Sequence, residues 1–283
     1  MTIQWFPGHM AKARREVQEK LKLVDFVIEL VDARAPYSSQ NPMLQQFLNN
    51  KSKMLVLMKK DLADQEITEQ WLQYFQAHTI TAVTANVNNR KDIQTIVETA
   101  KKLGQAKLER LKKKGVRPRA ARAMIIGIPN VGKSTLINRL ANKKIAKTGD
   151  RPGVTKSQQW IKVKNDFELL DTPGILWPKF EEESVGLRLA AIGTIKDQLL
   201  PMQEIAAFII RYMKEYYPTN IEERYQLSDQ LEMSEIFEQI GTRRGCLEAG
   251  GFVNYEKTAE VIIQDLRNGK LGNLTLEEPN IDD

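Results

Sequence analysis

Nine consecutive residues carry the strongest chemical pattern in the chain. The segment Gly127 to Thr135, "GIPNVGKST", fits the pattern G-x-x-x-x-G-K-[ST]. Its glycines allow backbone amides to turn inward around phosphate oxygens, and a helix beginning near Lys133 adds the positive end of its dipole. Lys133 would reach the β and γ phosphates, and Ser134 would bind Mg²⁺. The other predicted phosphate-loop contacts are Asn130, Val131, Gly132 and Thr135.

Two further elements follow the phosphate loop in the order that a nucleoside triphosphatase requires. In "RPGVT", Thr155 would give a hydroxyl to Mg²⁺ while the triphosphate is bound. In "DTPG", Asp171 would hold Mg²⁺ through water and the Gly174 amide would bond the γ-phosphate. A single threonine is weak evidence, but its position between the phosphate loop and Asp171 supports the assignment.

A candidate base reader lies upstream of the phosphate loop. The segment "VLMKKDL" ends a hydrophobic strand with Met58, Lys59 and Asp61. A carboxylate at Asp61 accepts two hydrogen bonds from guanine, whereas adenine offers no such donor pair and would leave the carboxylate unpaired. The stem of Lys59 would cover the base. In "TAN", the backbone of Ala85 and Asn86 is a further, nonspecific candidate for contacting guanine O6.

Short aliphatic runs that begin at Asp25, Lys53 and Thr79 predict buried strands, and helix-like stretches alternate with them. Three more strands precede Pro178. This alternation predicts an α/β fold with a doubly wound, mostly parallel six-stranded sheet over residues 1–178. Within it, residues 1–24 lead in, a helix ends at Gly104, and residues 104–122 form a basic linker. Helical periodicity without strands predicts a small all-α domain over residues 179–283.

Composition limits the classes of function. The one cysteine, Cys246, excludes a disulfide framework, and no apolar run has the length of a membrane span or signal peptide, which favours a cytoplasmic protein.

Residues 222–283 hold 6 basic and 14 acidic side chains, although the whole chain has a net charge of +6. Basic residues concentrate in residues 99–122, with ten Lys or Arg against Glu109. This segment either binds a polyanion or is a solvated helix face.

The order of motifs is a rotation of the usual GTPase order, and the chain resembles the circularly permuted ribosome-assembly GTPases of the RbgA/YlqF family. The resemblance covers nearly the whole length, in "QWFPGHMAKA", "DARAPYSSQNP", "GIPNVGKSTLINRL", "GDRPGVT", "LLDTPGILWPKF" and "RGCLEAGG". It implies a circularly permuted P-loop GTPase that binds GTP and GDP with Mg²⁺. It also implies late maturation of the large ribosomal subunit in the cytoplasm, with the helical domain on ribosomal RNA. The expected partner is the precursor of that subunit, not DNA or a membrane, and the default oligomeric state is a monomer.

The chain departs from the family pattern at Met58, where the base reader normally begins with asparagine. Methionine cannot form the hydrogen bonds by which that asparagine ties the base reader to the phosphate loop. We expect guanine selectivity to persist through Asp61, with nucleotide affinity weakened by about 1 to 2 kcal/mol. The role of Asp32-Ala33-Arg34 stays open, and a salt-bridged turn at a strand end is one explanation.

Ile175 stands where many GTPases have a water-orienting glutamine. Its alkyl side chain can neither donate nor accept a proton, so hydrolysis needs a polar group from elsewhere. The resemblance suggests His9, although this histidine is an equally good cap for a helix that begins near Met10. Asn130 resembles the asparagine that helps to bind K⁺ in potassium-activated GTPases, and asparagine is also simply a good turn residue. Free protein is expected to hydrolyse GTP slowly, with stimulation by a ribosomal particle.

Three alternatives remain open from the sequence. A P-loop ATPase or kinase would share Gly127 to Ser134 but would not need Lys59 and Asp61 at a strand end. An RNA-binding module with vestigial hydrolysis would explain the basic segment and leave the phosphate loop idle. A permuted GTPase that acts on the small ribosomal subunit, or on another RNA, would differ only in its partner.

Overall fold

The fold is built around one six-stranded sheet with helices on both faces. The computed structural model describes residues 15, 17–42, 47–48, 51–115, 117, 119–143, 160–163, 166–171, 182–195, 201–227 and 231–279. The strands are β1 (Phe26–Asp32), β2 (Ser52–Met58), β3 (Thr81–Ala85), β4 (Ala121–Gly127), β5 (Trp160–Val163) and β6 (Phe167–Asp171). Their order across the sheet is β3-β2-β1-β4-β6-β5.

All neighbouring strands run parallel except the edge strand β5, which is antiparallel to β6. The central strand β1 is buried at every position, as expected of a parallel strand covered on both faces. On one face, Ile28 and Met54 join a core with Ile96; on the other, Leu55 packs with Trp71. The prediction of a doubly wound, mostly parallel six-stranded sheet is therefore confirmed.

Among the described residues, the helices that lie on the two faces of this sheet include α1 (Gln65–Ala77), α2 (Arg90–Lys113) and α3 (Lys133–Ala141). Helix α1 begins at Asp64, whose side chain accepts a hydrogen bond from the Ile67 amide. Helix α2 begins at Asn89 in the same way, with the Lys91 amide as donor. Both helices thus start where a short polar side chain satisfies an amide that has no partner inside the helix.

The predicted end of a helix at Gly104 is wrong, because α2 continues to Lys113. Gly104 is buried where α2 crosses β4, and a Cβ atom there would lie 2.6 Å from the Ala121 Cβ. The glycine therefore serves a close approach and not a helix end. About half of residues 104–122, which we expected to form a basic linker, is helical. Basic side chains in the last turn of α2 favour this extension, because they face the negative end of the helix dipole.

The described residues after β6 form helices and one isolated β-bridge between Leu247 and Val253. The helices are α4 (Glu183–Ala191), α5 (Met202–Tyr216), α6 (Pro218–Tyr225), α7 (Met233–Arg243) and α8 (Tyr255–Arg267). Helix α8 packs on α5 and α7, and Asn254 caps it as predicted. Within the described ranges, no helix has the length and apolar character needed to cross a bilayer. The division into domains at residue 178 stays a prediction.

The C-terminal segment, which we define as Leu271–Glu278, crosses the loops that follow β1 and β2. The amide of Leu274 donates to the Leu62 carbonyl at 3.1 Å, and that of Leu276 donates to the Arg34 carbonyl at 2.7 Å. The indole nitrogen of Trp71 donates to the Glu277 carbonyl at 3.0 Å. The C-terminal segment therefore fastens the helical part of the chain to the edge of the sheet. The sequence analysis did not predict this contact.

The side chain of Glu277 is the buried anchor of the C-terminal segment. Its carboxylate accepts hydrogen bonds from the Ser38 amide at 2.9 Å and from the Ser38 hydroxyl. Arg188 of helix α4 lies 3.5 Å from the same carboxylate. Burial raises the pKa of Glu277, although these donors and the charge of Arg188 oppose the rise.

We expect Glu277→Ala to lower the free energy of unfolding by about 2 to 4 kcal/mol, because it leaves buried donors on Ser38 without an acceptor. Urea unfolding followed by circular dichroism measures this loss. The adjacent Glu278 is exposed, and Glu278→Ala is the matched control, with an expected change below about 0.5 kcal/mol. Equal effects of the two substitutions would show that the carboxylate of Glu277 does not anchor the segment.

Candidate nucleotide-binding site

The predicted base-reader and phosphate-loop residues that the structure describes lie at one edge of the sheet. Strands β1, β2, β3, β4 and β6 are parallel, so the loops that follow them lie at the same edge. Strand β1 pairs with β2 on one side and with β4 on the other. The base reader after β2 and the phosphate loop after β4 are therefore separated by one strand, or roughly 10 Å from twice the usual interstrand spacing. One nucleotide is long enough to bridge this separation.

The phosphate loop has the backbone geometry that an anion site requires. Asn130 and Gly132 adopt left-handed conformations, with φ of +60° and +98°. Helix α3 begins at Lys133, after the N-cap residue Gly132, which has no side chain to cap the helix. The first amides of a helix point out of its N-terminal end, as in phosphate sites. These features fit a nucleotide phosphate group.

The predicted phosphate-loop residues differ in exposure. Val131 is buried in the core, and Lys133 is 8% exposed, at the base of the loop. Ser134 is half-buried, whereas Thr135 and Asn130 are exposed. Val131 therefore anchors the loop with its side chain, and any contact it makes to phosphate would come from its backbone.

The end of strand β2 touches the phosphate loop through Met58. A Cβ atom added to Gly132 would lie 3.3 Å from the Met58 Cε atom, and Met58 is 1% exposed. A methyl group thus packs where the family's asparagine would form hydrogen bonds, and dispersion replaces a polar tie. The end of strand β2 and the phosphate loop are therefore neighbours, as the predicted site requires. The expected loss of nucleotide affinity at Met58 stays a prediction.

Lys59 is tied to a buried ion-pair network. Its Nζ atom lies 3.0 Å from Asp32 Oδ2, and the Asp32 side chain is 1% exposed. Arg34 donates hydrogen bonds to the same carboxylate from Nε and Nη2, each at 2.9 Å. The segment Asp32-Ala33-Arg34, whose role the sequence left open, is therefore a salt-bridged turn that also reaches the base reader.

The ion pairs of this network shift the pKa values of Asp32 and Arg34. Burial alone would raise the pKa of Asp32, but the charges of Arg34 and Lys59 hold it well below its usual range. Burial opposes the charged form of Arg34, yet the charges of Asp32 and Asp61 leave the Arg34 pKa raised. Asp32 and Arg34 are therefore both charged at neutral pH, and Asp61 lies close enough to act on the Arg34 pKa.

The other predicted base contacts lie beside this network. Asp61 is exposed, and Ala85 is buried at the end of β3, with its carbonyl 3.3 Å from the Lys60 amide. The Asn86 amide donates to Asp92 Oδ2 at 2.8 Å. Asn86 would have to exchange this partner in order to bind guanine O6. Asp92, which the sequence analysis missed, organises the loop because it also pairs with Lys60 at 2.7 Å.

Asn130 connects the phosphate loop to the helical part of the chain. Its Nδ2 atom donates to the Gly193 carbonyl at 2.8 Å, just after helix α4. The amide nitrogen of Asn130 is therefore used in the bond to Gly193. A bound K⁺ would contact the other atom of the amide, its oxygen. The potassium hypothesis stays a prediction.

Several predicted catalytic and metal-binding residues cannot be placed. His9, Thr155 and Gly174 lie outside the described residues, and Asp171 is described only as the end of strand β6. Among the described residues, no group of three or more His, Cys, Asp or Glu side chains could hold a metal ion. Of the predicted Mg²⁺ ligands, Ser134 is the one whose side chain is described, beside Lys133 at the start of α3.

Comparisons with known proteins agree with this geometry. A family model described as "50S ribosome-binding GTPase" matches residues 122–238. Ribosome biogenesis GTPase A of Bacillus pumilus is 57% identical over 280 residues, covering 99% of both chains. The chain belongs to the ribosome biogenesis GTPase A family. It is thus a P-loop GTPase and not an ATPase or a kinase.

More distant members of the family extend this similarity. Ribosome biogenesis GTPase A of Thermotoga maritima is 31% identical over 279 residues, covering 98% of this chain and 95% of the relative. The crystal structure of GNP-bound YlqF from T. maritima superposes with a TM-score of 0.68 at 27% identity. It covers 95% of this chain and 99% of its own. The α/β fold, the family and the GTPase class predicted from the sequence are therefore confirmed.

We expect Asp61→Asn to exchange guanine for xanthine specificity. Guanine offers a donor at N1 and an exocyclic amine, whereas xanthine carries a carbonyl in place of the amine, which an asparagine amide can satisfy. GTP affinity should fall by about 10² to 10⁴ and XTP affinity should rise, as measured by titration calorimetry. The exposed Glu66→Gln in helix α1 is the control and should bind GTP normally. Unchanged GTP affinity in Asp61→Asn would reject the base-reader assignment.

Proposed function

We propose that this GTPase is an assembly factor for late maturation of the large ribosomal subunit, and that its nucleotide state controls its association with the pre-ribosomal particle in the cytoplasm. The observation that carries the proposal is the contact of Met58 with Gly132, which joins a base reader and a phosphate loop in permuted order. Full-length relatives are named ribosome biogenesis GTPase A, and the matching family is described by binding to the 50S ribosome.

The nucleotide would lie across the carboxyl edge of the sheet. Asp61 would accept hydrogen bonds from guanine, and the stem of Lys59 would cover the base. Lys133 and the first amides of α3 would hold the phosphates, with Mg²⁺ on Ser134, Thr155 and Asp171. Solved structures of YlqF in a GDP-bound form and, from T. maritima, in a GNP-bound form support nucleotide binding by this chain.

Helix α2 offers the surface for ribosomal RNA. Its buried residues include Ile96, Ala100 and Gly104, which pack against the sheet. Its exposed side carries basic residues at Lys101, Lys102, Lys107, Arg110, Lys112 and Lys113. Lys101 pairs with Asp166 at 2.9 Å, so the other cations are better candidates for RNA phosphates.

The two arginines near the end of α7 make a poorer RNA surface. Arg243 donates to the Gln226 carbonyl at 2.9 Å, and Arg244 donates to the Arg224 carbonyl at 3.1 Å. They therefore satisfy carbonyls at the end of α6. The basic side of α2 remains the main candidate for electrostatic contact with RNA.

Contacts around helix α4 support control by the nucleotide. Helix α4 follows residues 172–181, which include the predicted γ-phosphate contact Gly174. The Gly193 carbonyl accepts from Asn130 of the phosphate loop, and Arg267 donates to the Ala190 carbonyl at 2.8 Å. A change in the phosphate loop would thus reach α8 through one short path.

We expect the protein to co-sediment with large-subunit precursors in the presence of a non-hydrolysable GTP analogue, and to dissociate in GDP. Separated large and small ribosomal particles from centrifugation provide the two targets. Asp61→Asn is the matched control, since it should bind particles with the corresponding XTP analogue and not with the GTP analogue. Binding that ignores the nucleotide would favour an RNA-binding module, and preference for the small particle would overturn the proposed partner.

We expect His9→Ala to lower particle-stimulated GTP turnover by about 10²-fold or more while GTP affinity stays unchanged, because imidazole would orient the attacking water. Phosphate release is measured with and without large-subunit particles, in K⁺ and in Na⁺ buffers.

Wild-type turnover should fall in Na⁺ if the Asn130 oxygen helps to bind K⁺. A normal rate in His9→Ala would remove its catalytic role, and equal rates in the two salts would remove the potassium site.

A further inference from the structure

The carboxylate of Asp32 lies at the centre of the nucleotide-binding edge. Asp32 is the last residue of β1, the strand between the base-reading strand and the phosphate-loop strand, and it is in register with Met58 of β2. The Ala33 amide donates to the Met58 carbonyl at 2.8 Å, which continues the pairing past the strand end. Asp32 therefore sits directly beside the first residues of the base reader.

Asp32 holds two cations that differ in their surroundings. Arg34 is buried with it and belongs to the same turn, with both side chains 1% exposed. Lys59 is 28% exposed and extends from the open side of the site to the buried carboxylate. The first pair is internal to the turn, whereas the second joins the turn to the loop that reads the base.

The backbone of Lys59 adopts an uncommon conformation at the start of the base-reading loop. Its φ of +59° is in the left-handed region, which a residue with a Cβ adopts only when the surroundings hold it there. The Leu62 amide fixes its carbonyl with a hydrogen bond of 2.9 Å. The ion pair with Asp32 fixes the other end, at the side-chain ammonium.

We propose that Asp32 is a positioning residue for guanine-nucleotide binding, because its carboxylate holds the Lys59 ammonium and so sets the Lys59 stem where the base binds. This inference rests on the assignment of Met58 to Asp61 as the base reader. A free lysine side chain loses rotamer freedom when a ligand fixes it, whereas the ion pair orders the stem before the nucleotide arrives. Met58 lacks the polar tie to the phosphate loop, so this ion pair takes over the orientation of the base reader.

A purely structural role for Asp32, as the partner of Arg34, makes a different prediction. In that case the loss of the carboxylate would weaken the fold and every ligand together. In the positioning role, Asp32 acts through Lys59 and affects the base more than the phosphates. A double-mutant cycle with two ligands separates the two explanations.

The cycle combines Asp32→Asn with Lys59→Met, which removes the ammonium and leaves an unbranched stem. Titration calorimetry measures GDP affinity, and competition measures inorganic pyrophosphate affinity, with apo-protein melting as a check on folding. We expect each single variant to bind GDP about tenfold more weakly, the double variant to lose no more than about twofold beyond the weaker single, and pyrophosphate affinity to stay unchanged. Lys59→Arg should recover most of the GDP affinity, and Lys257→Met at the exposed start of α8 is the control.

Additive losses in the cycle would overturn the proposal, as would equal losses for GDP and pyrophosphate. If Asp32→Asn fails to fold because Arg34 loses its partner, Lys59→Met decides alone, and wild-type GDP affinity in that variant would reject the ion pair as a positioning device. The xanthine switch of Asp61→Asn tests the base reader independently. A successful switch with an additive cycle would defeat only the role of Asp32.

Discussion

The contact between the methyl group of Met58 and the glycine of the phosphate loop is the constraint on which the nucleotide site depends. It exists because β2 and β4 both pair in parallel with β1, so that their carboxyl ends meet at one edge. Gly132 supplies the left-handed backbone and the absence of a Cβ that this approach needs. A permuted chain order makes no difference to this geometry, since the sheet determines which loops are neighbours.

Ion pairs between side chains also stabilise this edge of the sheet. One buried carboxylate, Asp32, pairs with both Arg34 and Lys59, and the charge of Asp61 lies near enough to act on Arg34. A buried charge is costly when it is unpaired, and here each partner offsets the desolvation of the other. The resulting turn lies beside Met58 and Lys59, which belong to the predicted base reader.

Within the described residues, two sets of hydrogen bonds join the helical part of the chain to the loops at the edge of the sheet. The C-terminal segment bonds to the loops after β1 and β2, through the carbonyls of Arg34 and Leu62. The end of helix α4 accepts a hydrogen bond from Asn130 of the phosphate loop. Arg188 of α4 also donates to the Leu276 carbonyl, and this bond links helix α4 to the C-terminal segment. The base reader and the phosphate loop thus share one helical support.

The sequence by itself determined the local parts of this protein. The phosphate loop, the strands, helix α1 and the helices α5, α7 and α8 follow from glycine placement, aliphatic runs and helical periodicity, all of which act over a few residues. The order of motifs gave the family. Tertiary structure decided the pairing of Asp32 with Lys59, the anchoring of Glu277 and the bond from Asn130 to Gly193, because these join residues far apart in the chain. It also overruled a local preference at Gly104, where close packing on Ala121 mattered more than the tendency of glycine to end a helix.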